Sequence, residues 1–216
     1  MKVFEMLIPM TIEGLKTTIG VFLVTLIFSL PLSIIVAKLR MSKNKTIANT
    51  TGTYIYIMRG TPLLLQLMFI FFGFHYVPVI GFAFGRYQAI FIAFILNYTA
   101  YFAEIFSGGI NSINIGQVEA STVLGLSKTA TFMKVILPQV IKNVMPSIGN
   151  EVITLIKDTS LVYILGVSDA LKAAKSVSNT YSTFVPYIFI GLVYLIIIAF
   201  LTKLLGNIEK KFSYYR

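Results

Sequence analysis

The chain has 216 residues and a mass of 24.1 kDa, with 56% hydrophobic and 12% charged residues and a mean hydropathy of +0.84; soluble domains carry about a quarter charged residues, so most of this chain belongs in a bilayer. Its 18 basic and 8 acidic residues give a net charge of +10, but the lysines lie in loops between apolar runs, which is the positive-inside pattern and not a nucleic-acid footprint. The absence of Cys excludes disulfides and thiolate chemistry, and a single histidine, His75, without an HExxH motif leaves no histidine-based metal or catalytic site.

The first apolar run, residues 15–37, follows Thr11-Ile12-Glu13-Gly14 and closes on Lys38, Arg40, Lys43 and Lys45. It is long enough to span, which sets it apart from the shorter core of a signal peptide. The second, residues 54–79, is interrupted by Arg59-Gly60-Thr61-Pro62. Pro62 has no N–H and suits a first helical position, so the pattern predicts that one helix stops and another restarts with Thr61 as its N-cap. His75 and Tyr76 near its outer end read as interfacial residues. The third run, residues 87–106, ends at Ser107-Gly108-Gly109, and the fifth, residues 184–205, exits into Glu209, Lys210, Lys211 and Arg216.

The fourth candidate, residues 135–157, contains Gln139, Lys142, Asn143, Asn150 and Glu151 and scarcely resembles a span by hydropathy. Charge bookkeeping decides it. Lys38, Arg40, Lys43, Lys45, Lys128, Lys134, Lys203, Lys210, Lys211 and Arg216 fall on one side of the membrane only if this polar segment crosses. The reading is an all-α membrane protein of five transmembrane helices in a single domain over residues 1–216, with the N-terminus outside and the C-terminus in the cytoplasm. Five is an odd number and no inverted repeat is visible, so a second copy or a homologue would supply the other half of a transporter.

At 100° per residue, Gln139, Lys157, Asn150, Asn143, Thr154, Ser147, Asp158 and Glu151 share one arc of about 120° on the fourth segment. Charged groups on that arc would cost several kcal/mol each in lipid, so the face meets protein or water. It is either a solute path or glue between helices, and the ionisable Glu151, Lys157 and Asp158 favour the path. A narrower stripe on the third run carries Asn97, Tyr101, Glu104 and Gly108, with packing and substrate contact as its two readings. Arg59 precedes the half-helix at Thr61-Pro62, where cation and dipole together suit an anion such as a substrate carboxylate. Its alternatives are to snorkel to the interface or to pair with Glu104.

Residues 107–134 read as a cytoplasmic loop. Within it Asn114 and Gln117 form the pattern of a capping box, so a short helix through Glu119 is predicted, of the kind that docks in a partner's groove. Glu119-Ala120-Ser121, Gly125 and Val135-Ile136-Leu137-Pro138 resemble the EAA loop of bacterial ABC importer permeases, departing from it at Ser121 and Val135. Arg59-Gly60-Thr61-Pro62-Leu63-Leu64, Ala103-Glu104-Ile105-Phe106-Ser107-Gly108-Gly109-Ile110, Leu137-Pro138-Gln139 and Lys157-Asp158-Thr159-Ser160-Leu161 look like the polar amino acid permease subfamily, with Phe106-Ser107 replacing its usual basic residue.

The resemblance implies the type I ABC importer permease fold in the bacterial cytoplasmic membrane. It implies two permease subunits, identical or homologous, two copies of a cytoplasmic ABC ATPase, and an extracytoplasmic solute-binding protein. ATP and Mg would be bound by that ATPase and no cofactor by this chain, which has no GxxxxGK[ST] sequence and so no P-loop. Glu119, Ala120 and Gly125 would couple to the ATPase. Arg59, Thr61, Asn97, Tyr98, Glu151, Lys157 and Asp158 would line a pocket for a polar L-amino acid. Glu151 suits a cationic substrate such as arginine, lysine or histidine, unless Lys157 or Arg59 neutralises it as a structural ion pair; cystine, glutamine and glutamate are the alternative substrates. A stand-alone ion-coupled carrier is the competing class, and it would have no use for the docking loop.

Overall fold

The computed structural model describes residues 2–73 and 84–212, and no strand occurs among them. His75 and Tyr76, read as interfacial, lie outside the described residues. The chain runs through α1 (Lys2–Arg40), α2 (Lys45–Gly60), α3 (Leu63–Met68, prolonged by a π-helical turn, Phe69–Gly73), α4 (Arg86–Asn111), α5 (Ile115–Val123) and α6 (Lys128–Thr131). A second π-turn, Phe132–Ile136, leads into α7 (Leu137–Asp158); a 3₁₀ turn, Thr159–Leu165, then α8 (Ala170–Tyr181) and α9 (Val185–Phe212) complete it.

Among the described residues α1, α4 and α9 are long and apolar enough to cross a membrane, and α2 with α3 adds a fourth candidate bent by 105°. The expected fourth span, α7, is helical over nearly the predicted residues, yet its polar face keeps it outside that group. The other spans outrun their apolar runs. Helix α1 begins at Lys2 and not near residue 15, α4 continues through Ser107-Gly108-Gly109 to Asn111, and α9 extends to Phe212. Hydropathy marks the membrane-facing part of a helix, whereas backbone hydrogen bonding carries the helix on into water.

Packing explains two of these extensions. The buried stripe of α1 is Leu7, Thr11, Gly14, Thr18, Val21, Phe22, Thr25, Ser29, Ser33 and Ala37, a three-and-four spacing of mostly small residues. This seam lets α1 lie close to α4 along its length and to α8 at its start. The opposite face, with Ile12, Ile19, Ile27 and Ile34, is exposed and suits lipid. Gly109 is required where α4 crosses α7, because a Cβ there would overlap the Val144 side chain. Gly14 has the tightest approach to backbone: a Cβ would overlap the main chain of Asp169 and Ala170, where α8 begins. Asp169 is fully buried and caps α8, its Oδ2 accepting from the Leu171 N–H at 3.1 Å and its Oδ1 from the Lys172 N–H at 2.9 Å.

The core cluster joins Val21 and Phe22 of α1, Leu63 and Leu67 of α3, Phe94, Tyr98 and Phe102 of α4, and Val152, Leu155 and Ile156 of α7. Polar residues that must be held inside the membrane are positioned on this frame. In purified protein, Gly14→Leu should lower the unfolding midpoint by an amount equivalent to about 2 kcal/mol or prevent folding, since backbone cannot yield to the added atoms. Gly20→Ala, on the same helix with no atom within 4 Å of the new Cβ, should leave the midpoint unchanged.

Candidate solute site and coupling loop

The break between α2 and α3 creates the site. A proline at position 62 offers no N–H, so the Met58 carbonyl four residues earlier loses its helical partner, and Thr61 is held extended at φ −120°, ψ 144°. In a bilayer that carbonyl must find another donor. It accepts from Asn97 Nδ2 at 3.0 Å and from Gln66 Nε2 at 2.9 Å, while Gln66 Oε1 accepts a bond from the same Asn97 amide at 3.0 Å. Thr61 Oγ1 donates to the Ile57 carbonyl at 2.8 Å and accepts from Gln66 Nε2 at 2.8 Å. The break is therefore hydrogen-bonded to α4, the wall opposite.

This differs in one detail from the expected start of the second half-helix. Pro62, at φ −61° and ψ 134°, occupies the N-cap position, and Thr61 closes α2. The Thr61 side chain caps nothing, because it is engaged by the preceding turn and by Gln66. Gln66 itself is not among the residues that the sequence singles out; its signal there is a lone amide within an apolar run, four residues after a proline.

Around the break lies a cavity of about 410 Å³ lined by Arg59, Gly60, Thr61, Pro62 and Leu63 from the break, Asn97, Tyr98 and Tyr101 from α4, and Glu151, Thr154 and Asp158 from α7. Six of the seven expected pocket residues thus meet in one place. Tyr98, buried to 1% exposure, donates from its hydroxyl to Asp158 Oδ2 at 2.7 Å and fixes that carboxylate at the wall. Arg59 pairs with Glu104 at 3.2 Å and lies 5.4 Å over the Tyr101 ring. Its side chain is still 40% exposed, so an anion can reach it. With Glu151 and Asp158 facing one arginine that is already paired, the cavity carries an excess of acid.

Lys157, the seventh residue, lines a separate cleft with Ser160, Leu171, Tyr187, Ile190, Gly191 and Tyr194. Adjacent residues on a helix diverge by 100°, so Asp158 and Lys157 cannot both face the cavity. The polar arc of α7 continues toward the start of the helix, where Asn143 and Ser147 share a second cavity of about 290 Å³ with Glu104, Gly108, Gly109 and Ser112.

The loop after α4 forms the predicted short helix. Asn114 caps α5 by accepting from the Gly116 N–H at 2.8 Å. Glu119 and Ala120 are exposed on it. The helix ends on Gly125, at φ +73° with open space where a side chain would begin, and the Leu126 N–H donates to the Ser121 carbonyl at 3.0 Å. Gly125 is thus needed for its left-handed backbone, and not for close packing inside this chain. Val123 and Leu124 beside it are 87% and 78% exposed, an apolar tip with no cover.

The sequence profile described as the binding-protein-dependent transport system inner membrane component matches residues 29–214, and the chain belongs to that family. A putative glutamine transport system permease protein of Rickettsia conorii is 36% identical over 93% of this chain and 91% of its own length. An arginine transport system permease protein of Bacillus subtilis is 35% identical over 94% and 93%, and a nopaline transport system permease protein of Agrobacterium fabrum is 32% identical over 91% and 85%. Among solved structures, an amino acid ABC transporter crystallised with histidines superposes with a TM-score of 0.86 at 33% identity, covering 94% of both chains. A methionine ABC transporter, at 0.69 and 16% over 97% of both, shares the fold. The architecture is therefore that of type I ABC importer permeases.

The hydrogen-bonded break predicts a specific non-additivity. Asn97→Ala should cost about 1 kcal/mol of stability by leaving the Met58 carbonyl short of a donor. Pro62→Ala restores a backbone N–H at position 62. In the Pro62→Ala background the same Asn97→Ala change should cost about half as much, read from unfolding midpoints of all four proteins.

Proposed function

We propose that the chain is the membrane-spanning subunit of an ATP-driven amino acid importer of the bacterial cytoplasmic membrane, with five spans, the N-terminus outside and the C-terminus in the cytoplasm. The observation that carries this is the pairing of an intramembrane cavity holding Arg59, Glu151 and Asp158 with an exposed helix bearing Glu119 and Ala120 on the same chain. An ion-coupled carrier would need the first and not the second. Two further features support the reading: α7 is buried along one side despite its polarity, as a crossing helix would be, and relatives of similar identity are named as permeases for glutamine, arginine and nopaline.

In this reading the chain hydrolyses nothing. Two ABC ATPase subunits bind ATP and Mg, the α5 of each permease subunit docks into one of them, and an extracytoplasmic binding protein delivers the amino acid to the pair of permease subunits. The exposed polar residues Asn143, Ser147 and Asn150 of α7 would then face the second permease subunit across the path.

The substrate is a polar L-amino acid, and a cationic one such as arginine, lysine or histidine suits the cavity best. Its α-carboxylate meets Arg59 and the start of the second half-helix; its side chain meets Glu151 and the Tyr98-held carboxylate of Asp158. The relatives named for glutamine favour a neutral ligand instead, whereas the acid surplus of the cavity and the relative named for arginine support a cationic one. Lys157 is left out of this reading, because it lines a separate cleft.

Two measurements test the proposal. Glu151→Gln, assayed with one binding protein throughout, should reduce arginine and lysine uptake about tenfold or more while sparing neutral amino acids; equal loss of all substrates would make Glu151 a structural residue. Glu119→Lys, and Gly125→Val at the left-handed cap, should abolish the stimulation of ATP hydrolysis by loaded binding protein without loss of folded chain in the membrane. Normal stimulation in both would remove α5 from the mechanism.

A further inference from the structure

The two cavities along the polar face of α7 are stacked on a single track. On α4, Asn97 to Tyr101 line the first cavity and Gly108 to Ser112 the second. Eleven residues of helix separate Asn97 from Gly108, about 16 Å along the axis. On α7 the order is reversed, as antiparallel helices require: Glu151 to Asp158 line the first and Asn143 to Ser147 the second. The ion pair of Arg59 with Glu104 stands between them, since Arg59 lines the first cavity and Glu104 the second.

We propose that the second cavity is a further amino acid subsite, on the cytoplasmic side of the first, and that the Arg59–Glu104 pair is the gate between the two. This rests on the importer reading and its orientation. The chemistry follows from the charges of a zwitterion. Both partners are about half exposed, 40% and 44%, so the pair opens without breaking buried packing. A carboxylate arriving in the first cavity competes with Glu104 for Arg59, and the Glu104 carboxylate so released is the anion that the ammonium end requires. Below it, the subsite offers the Ser147 hydroxyl and the Asn143 amide, whose Nδ2 donates at 3.2 Å to a Ser112 hydroxyl that itself donates to the Gly109 carbonyl at 2.7 Å. Tyr101, whose ring lies under the Arg59 guanidinium, keeps that cation at the boundary when the pair is open. The ligand therefore carries the key to its own gate in its backbone charges, independent of its side chain.

The chain has no Cys, so single-cysteine variants of the reconstituted importer report each cavity separately. Ser147→Cys reports the second cavity and Thr154→Cys the first. An impermeant thiol reagent applied from the cytoplasmic side should modify the cysteine at 147 and spare the one at 154. Adding Glu104→Gln should raise modification at 154 from that side about fivefold, whereas Glu104→Asp, which keeps the charge, should not. Arg59→Gln breaks the same pair from its other end and gives the same reading if Glu104→Gln fails to assemble. Substrate amino acid should protect the cysteine at 147, and Glu104→Gln should abolish that protection. Unchanged modification at 154 in the broken-pair variants, or no protection at 147 by the amino acid, overturns the gate and subsite while leaving the importer reading intact. Modification at 147 solely from the extracytoplasmic side overturns the orientation and the proposal together.

Discussion

One unpaired carbonyl organises the middle of this protein. Pro62 removes the donor that Met58 would use in a continuous helix, and in a medium without water an orphan backbone oxygen costs several kcal/mol. The remedy comes from other elements: Asn97 on α4 and Gln66 on α3 both donate to it. A local defect in one helix thereby becomes a tertiary bond, and it sets the position of everything near the break. Arg59 is one residue beyond that carbonyl, Thr61 is locked by Gln66, and the cavity opens where α2 and α3 part by 105°. Without the bridge the half-helices would be free to straighten, and the arginine would lose its place opposite Glu151.

The same economy of polar groups governs α7. Its hydrophilic arc spans about 120°, wider than any one neighbour can cover, so it is divided among three surroundings. One edge, with Lys157, turns toward α9; the other, with Glu151 and Asp158, faces the break; and the N-terminal half, with Asn143 and Ser147, faces the C-terminal part of α4. The buried side of the helix, Val140, Val144, Val152, Leu155 and Ile156, holds it on the core throughout. Glu151, Lys157 and Asp158 thus each line a cavity or cleft, and none of the three sits on the side that packs into the core.

Much of this is readable from the residues. Period and charge locate the helices, the wheel places Glu151, Thr154 and Asp158 together, and Arg59 with Thr61-Pro62 marks the break. What escapes has a common cause: hydropathy sees the surface a helix shows to lipid and is blind to the surface it shows to protein. The small-residue seam of α1 looks like any apolar run, the amphipathic α8 falls between two spans with no run at all, and the ends of α1, α4 and α9 continue past the membrane-facing residues. Gln66 is invisible for a different reason, since one amide in an apolar segment has no period. Its meaning depends on the carbonyl that Pro62 orphans on another helix. The separation of Lys157 from its neighbour Asp158 is implicit in the wheel, where they sit 100° apart, but an arc drawn as a single face conceals that its edges look in different directions.

The distribution of exposure also limits what the chain can be by itself. Along α9, Ile188, Leu192, Leu195, Ile196 and Phe200 are exposed and apolar, which lipid satisfies. On α7 and just past the end of α4, Asn143, Ser147, Asn150 and Ser112 are exposed and polar, which lipid does not satisfy. Two faces of such opposite character on one bundle mean that one is solvated by the membrane and the other must be covered by protein or water. Gly108, Ser112, Asn143 and Ser147 line the cavity that also holds Glu104, and Glu104 pairs with Arg59 of the first cavity, so the charged groups of both cavities adjoin the face that lipid leaves unsatisfied.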